Sequence, residues 1–520
     1  MKLFNLTFLR PYFLPAFSGV LLVLIFPPFN IHILAWVSLV PLLTAVKNHT
    51  RLVALKQGFC TGVICFGGVM PWIFNVLSVY GHIPALLCIL LTLLLVFYLA
   101  LYMAIFAWGA ARAGRAPEGI FISPFVFVIL EYVRARLLTG LPWALLAHSQ
   151  YANPPVIQIA SITGTAGVTF LIVLVNASIV YAIRGYASGG RAVGLPAAAI
   201  GLAVVNVVWG GMEVKRIEAL AGREIKIAVI QGNVNQGIKW NRRYREQVIN
   251  KYFRLTREAA KESPDLVVWP ETAMPFYYGI DADATKRLDR LVRESSTTLI
   301  FGGLGLERTG SAIDDGAKRE MRRSYFNRAY VVTPEKNRIV YYNKMHLVPF
   351  GEYVPLRRLL FFVNKMTDAV REDIKPGHRA IPVKIKDVSV GIQICYEIIF
   401  SGYVRSFVRN GAEMIVNITN DAWFGKGGAS AQHMMSLPFR AVENRVPIVR
   451  AANTGISGFV TATGKIKKTT RLFETTRVSD VLTIPPPQTQ NTFYGRFGDF
   501  FTYLCAFFVL AGYLRAKPRG

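Results

Sequence analysis

Residues 86–108 read LLCILLTLLLVFYLALYMAIFAW and contain no charged side chain. A bilayer core about 30 Å thick is crossed by about 20 apolar helical residues, so this segment is long enough to span one. Seven other segments meet the same test less cleanly. The complete set lies near 11–28, 31–47, 57–80, 84–108, 119–138, 156–184, 192–211 and 498–514. Eight apolar runs are not expected of a soluble core, and they predict a multi-pass α-helical membrane domain.

The composition agrees with a chain divided between membrane and water. Of its 520 residues, 52% are hydrophobic and only 17% are charged. The apolar residues concentrate at the two ends, and a polar region lies between them. We therefore predict three parts: residues 1–215, a membrane domain of about seven helices; residues 224–484, a polar domain; and residues 485–520, a linker, a last span and a basic tail.

Lys and Arg fall on alternate connections between the predicted spans. They occur at Lys2, Arg10, Lys47, Arg51, Lys56, Arg112, Arg115, Arg184, Arg191, Arg515, Lys517 and Arg519. The connections near 27–30, 80–83 and 139–155 carry none. Because basic loops stay in the cytoplasm, this pattern predicts an extracytoplasmic polar domain. It also explains part of the net charge of +28 without nucleic acid as a partner.

The polar region alternates between short apolar runs and helical stretches. Strands are predicted at 224–231, 265–270, 298–303, 329–333, 338–342, 388–394, 414–418, 448–453 and 458–462, and helices near 243–262 and 284–295. This alternation predicts a layered α/β fold. The charged stretch from Arg308 to Arg323 predicts an exposed loop.

One of the five cysteines, Cys395, lies in the polar region, whereas Cys60, Cys65, Cys88 and Cys505 lie in apolar segments. A single cysteine excludes an internal disulfide framework there, and no Cys/His cluster has metal-ligand spacing, so we expect no metal or other cofactor. The cysteine directly follows a predicted strand. A turn at that point can expose a nucleophile beside backbone N–H groups that bind an oxyanion. The alternative is a small buried core residue.

Glu271 and Lys344 also follow predicted strands. A partly desolvated carboxylate at a strand end has a raised pKa and can act as a base, although Glu271 alone could equally be a surface group. The ammonium of Lys344 can stabilise an oxyanion. A lone lysine is usually solvated, but the Pro, Gly and aromatic residues around Lys344 make that alternative weaker here.

Together these residues resemble the carbon–nitrogen hydrolase (nitrilase) superfamily over about residues 224–480. The motifs that carry the resemblance are Trp-Pro-Glu271-Thr, Asn-Lys344-Met-His-Leu-Val-Pro-Phe-Gly-Glu352 and Ile-Cys395-Tyr-Glu397. The resemblance implies an α-β-β-α sandwich. It also implies a triad with Glu271 as base, Lys344 as oxyanion stabiliser and Cys395 as nucleophile.

The whole chain is similar to the apolipoprotein N-acyltransferase family, in which such a domain is embedded among membrane spans. Two further segments carry this likeness, Asn420-Asp421-Ala-Trp423-Phe424 and Glu131-Tyr-Val-Arg134-Ala-Arg136-Leu-Leu-Thr-Gly140-Leu-Pro-Trp143. The resemblance implies acyl transfer from a membrane phospholipid to a diacylated apolipoprotein through a cysteine thioester. It also implies a monomer in the bacterial inner membrane with a periplasmic α/β domain.

Four other residues are expected to bind substrate or support the triad: Glu352, Tyr396, Glu397 and Trp240. A structural ion pair is the alternative for Glu352. Helix capping is the alternative for Glu397, and core packing is the alternative for Trp240. Near a membrane boundary, Glu131 and Arg134 are expected to pair structurally on one helix face.

Two rival functions are weighed against acyl transfer. A membrane-tethered amidase or nitrilase would share the triad and use water as the second nucleophile, but eight spans exceed what tethering requires. A transporter with an outer binding domain predicts polar residues within the spans and repeated halves. The sequence shows few such residues and no clear repeat, and a transporter leaves Cys395 unexplained.

Overall fold

The computed structural model describes residues 10–46, 49–113, 117–187, 193–239, 242–309, 322–335, 339–353 and 374–515. Its α-helices are α1 Phe13–Leu24, α2 Val40–Ala45, α3 Arg51–Val69, α4 Trp72–Asn75, α5 Ala85–Ala113, α6 Ser123–Arg134, α7 Pro154–Ile157, α8 Ala160–Thr163, α9 Thr165–Ala187, α10 Gly194–Glu218, α11 Gln236–Lys239, α12 Arg245–Ala260, α13 Ala282–Ser295, α14 Ser401–Arg409, α15 Ala429–Met434, α16 Ser436–Asn444, α17 Phe493–Phe497 and α18 Phe500–Arg515. Short 3₁₀ turns include Leu146–Gln150, Cys395–Ile399 and Asp421–Phe424.

The strands are β1 Arg223–Gln231, β2 Leu266–Val268, β3 Thr298–Thr309, β4 Arg322–Val332, β5 Val340–Asn343, β6 Val383–Ile385, β7 Val388–Ile394, β8 Met414–Thr419, β9 Ile448–Ala452, β10 Gly458–Val460, β11 Ile466–Thr469 and β12 Thr476–Ile484. They form two six-stranded sheets, in the orders β12-β1-β2-β3-β4-β5 and β11-β10-β9-β8-β7-β6. The central strands β1, β2 and β3 of one sheet are parallel, as are β7, β8 and β9 of the other. The carboxyl ends of these parallel strands therefore lie at the same end of each sheet.

Among the described residues, four helices are long and apolar enough to cross a bilayer: α3, α5, α9 and α10. Their outer faces expose large apolar side chains, for example Leu94 on α5 and Val205 on α10, at 66% and 63% exposure. A continuous exposed apolar face suits lipid and not water. The membrane domain is thus confirmed. The other four predicted spans fall on shorter helices, including α1, α6 and α18, so their crossing stays a prediction.

The sandwich follows from the alternation of side chains along the strands. In the first sheet, Ile227 and Val268 point toward the second sheet, whereas Ala228 and Val267 belong to a separate core with α12 and α13. The second sheet packs its other face against α14 and α16. Because successive residues of a strand face opposite sides, both faces of each sheet are covered. The predicted α-β-β-α order of layers is confirmed.

The membrane helices and the second half of the sandwich share one continuous core. The two regions are therefore packed together as one body.

Two details differ from the sequence-based expectations. The loop predicted from Arg308 to Arg323 is wrong at both ends, because β3 continues to Thr309 and β4 already begins at Arg322, and its middle, 310–321, lies outside the described residues. The sequence also missed β6, β11 and β12, which lie at sheet edges where exposed residues interrupt the apolar pattern.

Candidate active site

The three predicted triad residues meet where strands of both sheets end. Glu271 lies three residues beyond β2, Lys344 directly follows β5, and Cys395 directly follows β7. The Lys344 Nζ lies 3.5 Å from Glu271 Oε1. The charges of Glu271 and Lys344 act on Cys395 in opposite directions, and both shift its pKa. The fold therefore places a thiol, a carboxylate and an ammonium in one site.

The Glu271 carboxylate is buried and fixed through both oxygens. The backbone N–H of Asn420 donates to Oε2 at 2.9 Å, and the amide of Asn327 donates to Oε1 at 2.7 Å. The chain beneath it requires a glycine, because a Cβ on Gly302 would lie 2.4 Å from the Thr272 nitrogen and 2.6 Å from Glu271 Cα. Glu271 is thus held in one orientation by Asn420, which directly follows β8, and by Asn327 on β4, and not by solvent.

Lys344 is 1% exposed, and its ammonium lies between two carboxylates. Its Nζ contacts Glu352 Oε2 at 2.9 Å and Glu271 Oε1 at 3.5 Å. Burial alone would lower its pKa, but the two carboxylates outweigh burial and raise it. The lysine is therefore a fixed positive charge, which suits oxyanion stabilisation and not proton transfer.

Asn327 on β4 bridges the two carboxylates of this site, and no sequence motif singled it out. Its Nδ2 donates to Glu271 Oε1 and to Glu352 Oε1, each at 2.7 Å. Glu352 Oε2 also accepts the Val348 N–H at 2.8 Å. The signal that could have identified it is a polar residue in the buried part of a strand, because a buried polar side chain needs a hydrogen-bond partner.

Cys395 has a left-handed backbone conformation, with φ of +53°. A side chain rarely adopts this conformation unless the surroundings impose it, and it is found at exposed nucleophiles on strand-to-helix turns. Burial raises the pKa of the Cys395 thiol, and the Glu271 charge raises it further, while Lys344 opposes both effects. The resting cysteine is therefore a neutral thiol, so its attack requires a base within reach.

Glu397 is fully buried and faces the backbone, not the space beside the thiol. Its Oε1 accepts hydrogen bonds from the Tyr342 hydroxyl at 2.8 Å and from the N–H groups of Met345 at 2.6 Å and His346 at 3.0 Å. Its Oε2 accepts the Ile394 N–H at 2.7 Å. The carboxylate thus joins the loop of the lysine to the strand of the cysteine.

Burial raises the pKa of Glu397 to about 7, against the backbone N–H donors that favour its ionised form. A carboxyl group held in this way is a structural anchor, which agrees better with helix capping than with substrate binding.

Tyr396 points toward the membrane domain. Its hydroxyl donates to the Gly140 carbonyl oxygen at 3.0 Å, and its ring lies 5.0 Å from that of Phe400. The residue after the predicted nucleophile therefore joins the α/β domain to the segment that follows α6. Trp240, the fourth supporting residue, lies outside the described residues.

A second link between the domains lies behind the cysteine. The indole Nε1 of Trp143 donates to Gln432 Oε1 at 2.8 Å, and Gln432 Nε2 donates to the carbonyl oxygens of Pro27 and Val69 at 3.1 and 3.2 Å. Trp143 also lies 5.4 Å from the His433 ring. A side chain of the membrane domain, Trp143, is thus separated from Cys395 by a single residue.

The predicted pairing of Glu131 and Arg134 is present. Arg134 Nη2 lies 3.7 Å from Glu131 Oε1, and Arg134 also donates to the Trp143 carbonyl oxygen at 3.1 Å. Glu131 accepts the Leu146 N–H at 2.7 Å and the Thr169 hydroxyl at 2.7 Å. These bonds give both charges buried partners and orient the segment that carries Trp143.

The chain is 39% identical to an apolipoprotein N-acyltransferase of Geobacter metallireducens, a match that covers 95% of this chain and 93% of the relative.

The chain belongs to the apolipoprotein N-acyltransferase family. Another family member, from Photobacterium profundum, is 29% identical over 93% of this chain and 91% of its own length. The family model of the apolipoprotein N-acyltransferase N-terminal domain matches residues 18–178, and that of carbon–nitrogen hydrolases matches residues 226–484. A carbon–nitrogen hydrolase structure from Helicobacter pylori G27 is 16% identical, with a TM-score of 0.39 over 54% of this chain and 94% of that chain.

Both halves of this apolipoprotein N-acyltransferase family member therefore match their own family model. The carbon–nitrogen hydrolase match contains all three triad residues predicted from the sequence, and the N-terminal match contains helices α3, α5 and most of α9.

Proposed function

We propose that this chain transfers a fatty acyl group from a membrane phospholipid to the α-amino group of the N-terminal diacylglyceryl cysteine of an apolipoprotein. The transfer passes through a thioester on Cys395 and is the final step of bacterial lipoprotein maturation. The observation that carries the proposal is the juxtaposition of Glu271, Lys344 and Cys395 beside packed membrane helices. The names of its full-length relatives support the same activity.

In the first half-reaction, Glu271 removes the proton from the Cys395 thiol as the sulfur attacks the ester carbonyl of the phospholipid. Lys344 and a backbone N–H stabilise the oxyanion that forms. The carbon–oxygen bond to glycerol then breaks, and Glu271 returns the proton to the departing alkoxide. The products are a lysophospholipid and a thioester on Cys395, so atoms and charge balance.

In the second half-reaction, the apolipoprotein amine attacks the thioester carbonyl. The carbon–sulfur bond breaks, an amide forms, and Glu271 transfers the amine proton to the sulfur of Cys395. One site can thus serve two lipid substrates in turn, which is the advantage of covalent catalysis here. The carboxylate must change protonation state in each half, and Lys344 need not, in line with its raised pKa.

The membrane domain suits these substrates, because both reside in the bilayer. Drawing an acyl chain into water costs about 0.8 kcal/mol per CH₂, so a site at the bilayer surface avoids most of that cost. The contacts of Trp143 and Tyr396 keep the site against the helices. We further propose that the chain is a monomer in the inner membrane, with the α/β domain on the periplasmic side.

The proposal is tested by intact-mass analysis of the purified protein incubated with phospholipid vesicles. The wild type is expected to gain the mass of one fatty acyl group, and hydroxylamine is expected to remove it, because thioesters react with that amine. Addition of a diacylated lipopeptide with a free amino terminus should discharge the adduct and yield a triacylated peptide.

Two variants serve as controls. Cys395→Ala lacks the nucleophile and should gain no mass. Glu271→Gln retains the thiol but lacks the base, and the adduct should form on it far more slowly. If neither the wild type nor either variant forms an adduct, and the wild type instead hydrolyses small amides, the acyltransferase proposal fails and the tethered amidase takes its place.

A further inference from the structure

Outside the predicted triad, a buried cluster of polar side chains contacts the backbone carbonyl of the predicted nucleophile. His433 Nε2 lies 3.2 Å from the Cys395 carbonyl oxygen, and Asn417 Nδ2 approaches the same oxygen at 3.4 Å. His433 is fully buried on α15. A carbonyl oxygen only accepts hydrogen bonds, so Nε2 must carry the proton of the ring.

The other ring nitrogen faces both members of an ion pair. His433 Nδ1 lies 3.0 Å from Arg450 Nη2 and 3.2 Å from Asp421 Oδ1. Whatever the state of Nδ1, the Cys395 carbonyl oxygen requires the proton on Nε2. Arg450 is itself held by Asp421 Oδ2 at 2.8 Å and by Asn417 Oδ1 at 2.7 Å. Burial and the neighbouring Arg450 lower the pKa of His433, and the hydrogen bond and charge of Asp421 oppose this shift.

The peptide that links Cys395 to Tyr396 has one orientation as a consequence. In a planar trans peptide the C=O and the following N–H point in opposite directions. Two donors that hold the Cys395 carbonyl oxygen inward therefore direct the Tyr396 N–H the other way. That N–H lies in the first turn of the 3₁₀ turn Cys395–Ile399, where no intrahelical acceptor exists for it.

We propose that His433 is a positioning residue for acyl transfer, which orients the Cys395–Tyr396 peptide so that its N–H, together with Lys344, receives the oxyanion. The inference rests on the proposed function and adds to it a residue that touches neither substrate nor reacting atoms. The His433 ring also lies 5.4 Å from the ring of Trp143, so a side chain of the membrane domain packs beside the positioning residue.

The test uses His433→Gln and His433→Met in the full-length protein. The two side chains have similar length, but only Gln has an N–H that can reach the carbonyl oxygen. The substrate is p-nitrophenyl butyrate, whose burst of p-nitrophenol reports acylation of Cys395 without a phospholipid. Because positioning is lost, His433→Met should lower the maximal burst rate about 10- to 100-fold at an unchanged half-saturating ester concentration. His433→Gln should stay within about threefold of wild type.

A His433→Met protein that acylates at the wild-type rate overturns the proposal, and so does a His433→Gln protein as slow as His433→Met. If His433→Met does not fold, His433→Asn replaces it, since its shorter amide cannot reach the oxygen, and the same two outcomes apply. A wild type that reacts with the activated ester but never with phospholipid refutes the proposed donor and leaves this comparison intact.

Discussion

We expect Asn327→Leu to impair acylation of Cys395, although Asn327 itself is not placed to react. Its amide nitrogen gives one hydrogen to Glu271 Oε1 and the other to Glu352 Oε1, at 2.7 Å each. Leucine has a similar shape and no donor. Without the bridge, Glu271 Oε1 loses its donor and can shorten its 3.5 Å contact with Lys344 Nζ into a closer ion pair.

The size of the effect follows from these contacts. A hydrogen bond to a charged group contributes about 1.5–3 kcal/mol net, so two such bonds amount to about 3–6 kcal/mol. Closing the Glu271–Lys344 gap to the 2.9 Å of the Glu352 contact recovers about 1 kcal/mol at an effective dielectric constant of about 20. If half of the loss reaches the transition state, acylation slows about 10- to 100-fold, and the remainder appears as lower stability.

The assay is the p-nitrophenol burst, measured together with thermal unfolding in the same detergent. Asn444→Leu is the matched control, because this asparagine is equally buried and its amide donates to the Arg440 carbonyl oxygen at 2.9 Å, away from the triad. It should lose stability and keep its burst rate. An Asn327→Leu protein that acylates at the wild-type rate, or an Asn444→Leu protein slowed equally, would refute the bridging role.

Three further changes test the surroundings of the triad. Glu352→Gln removes the closer counter-charge of Lys344, and a buried ion pair that loses one partner costs about 3–5 kcal/mol. Because Glu271 still faces Lys344 at 3.5 Å and offsets part of that cost, the burst rate should fall about 100-fold. Tyr396→Phe removes one bond to Gly140, worth about 1 kcal/mol, so its burst rate should stay within about tenfold of wild type, and a larger loss would contradict a purely anchoring hydroxyl. Glu397 has a folded pKa of about 7 against 4.5 for an ordinary carboxyl, so the folded state holds its proton more tightly and stability falls as pH rises through that window. In thermal melts measured across this pH range, Glu397→Gln should not show the fall in stability with rising pH. An identical fall in the variant would exclude Glu397 as its source.

The position of the triad was predictable because strand ends are visible in the sequence. Three residues each follow an apolar run: Glu271, Lys344 and Cys395. Strands that run in the same direction bring their carboxyl ends to the same end of a sheet. Asn327 was not predictable in the same way. It lies inside β4, and its partners are 56 residues earlier and 25 residues later, so only the pairing of strands brings the three side chains together.

The choice between alternatives for single residues also required the structure. For Glu397, substrate binding and capping predict the same residue type, and only its four donors from two chain segments separate them. For the spans, composition identified apolar segments but not their helical length. Helix α6 has only 12 residues because the chain before it forms a 3₁₀ helix, Pro117–Ile122, and Gly498, with φ of +63°, separates α18 from α17. Local hydropathy registers neither break.

The raised pKa of Cys395 has a consequence that joins the chemistry to the proposed location. A thiolate outside the cytoplasm is prone to oxidation, because the ionised sulfur is the form that oxidants attack. Burial and the Glu271 charge keep the sulfur protonated at rest, so the single cysteine of this domain avoids that fate. In the proposed mechanism, the Glu271 carboxylate that suppresses ionisation is also the base that removes the proton when an ester carbonyl arrives. On that proposal, the site forms its nucleophile only in the presence of an acyl donor, and the ammonium of Lys344 stabilises the negative charge that then moves to oxygen.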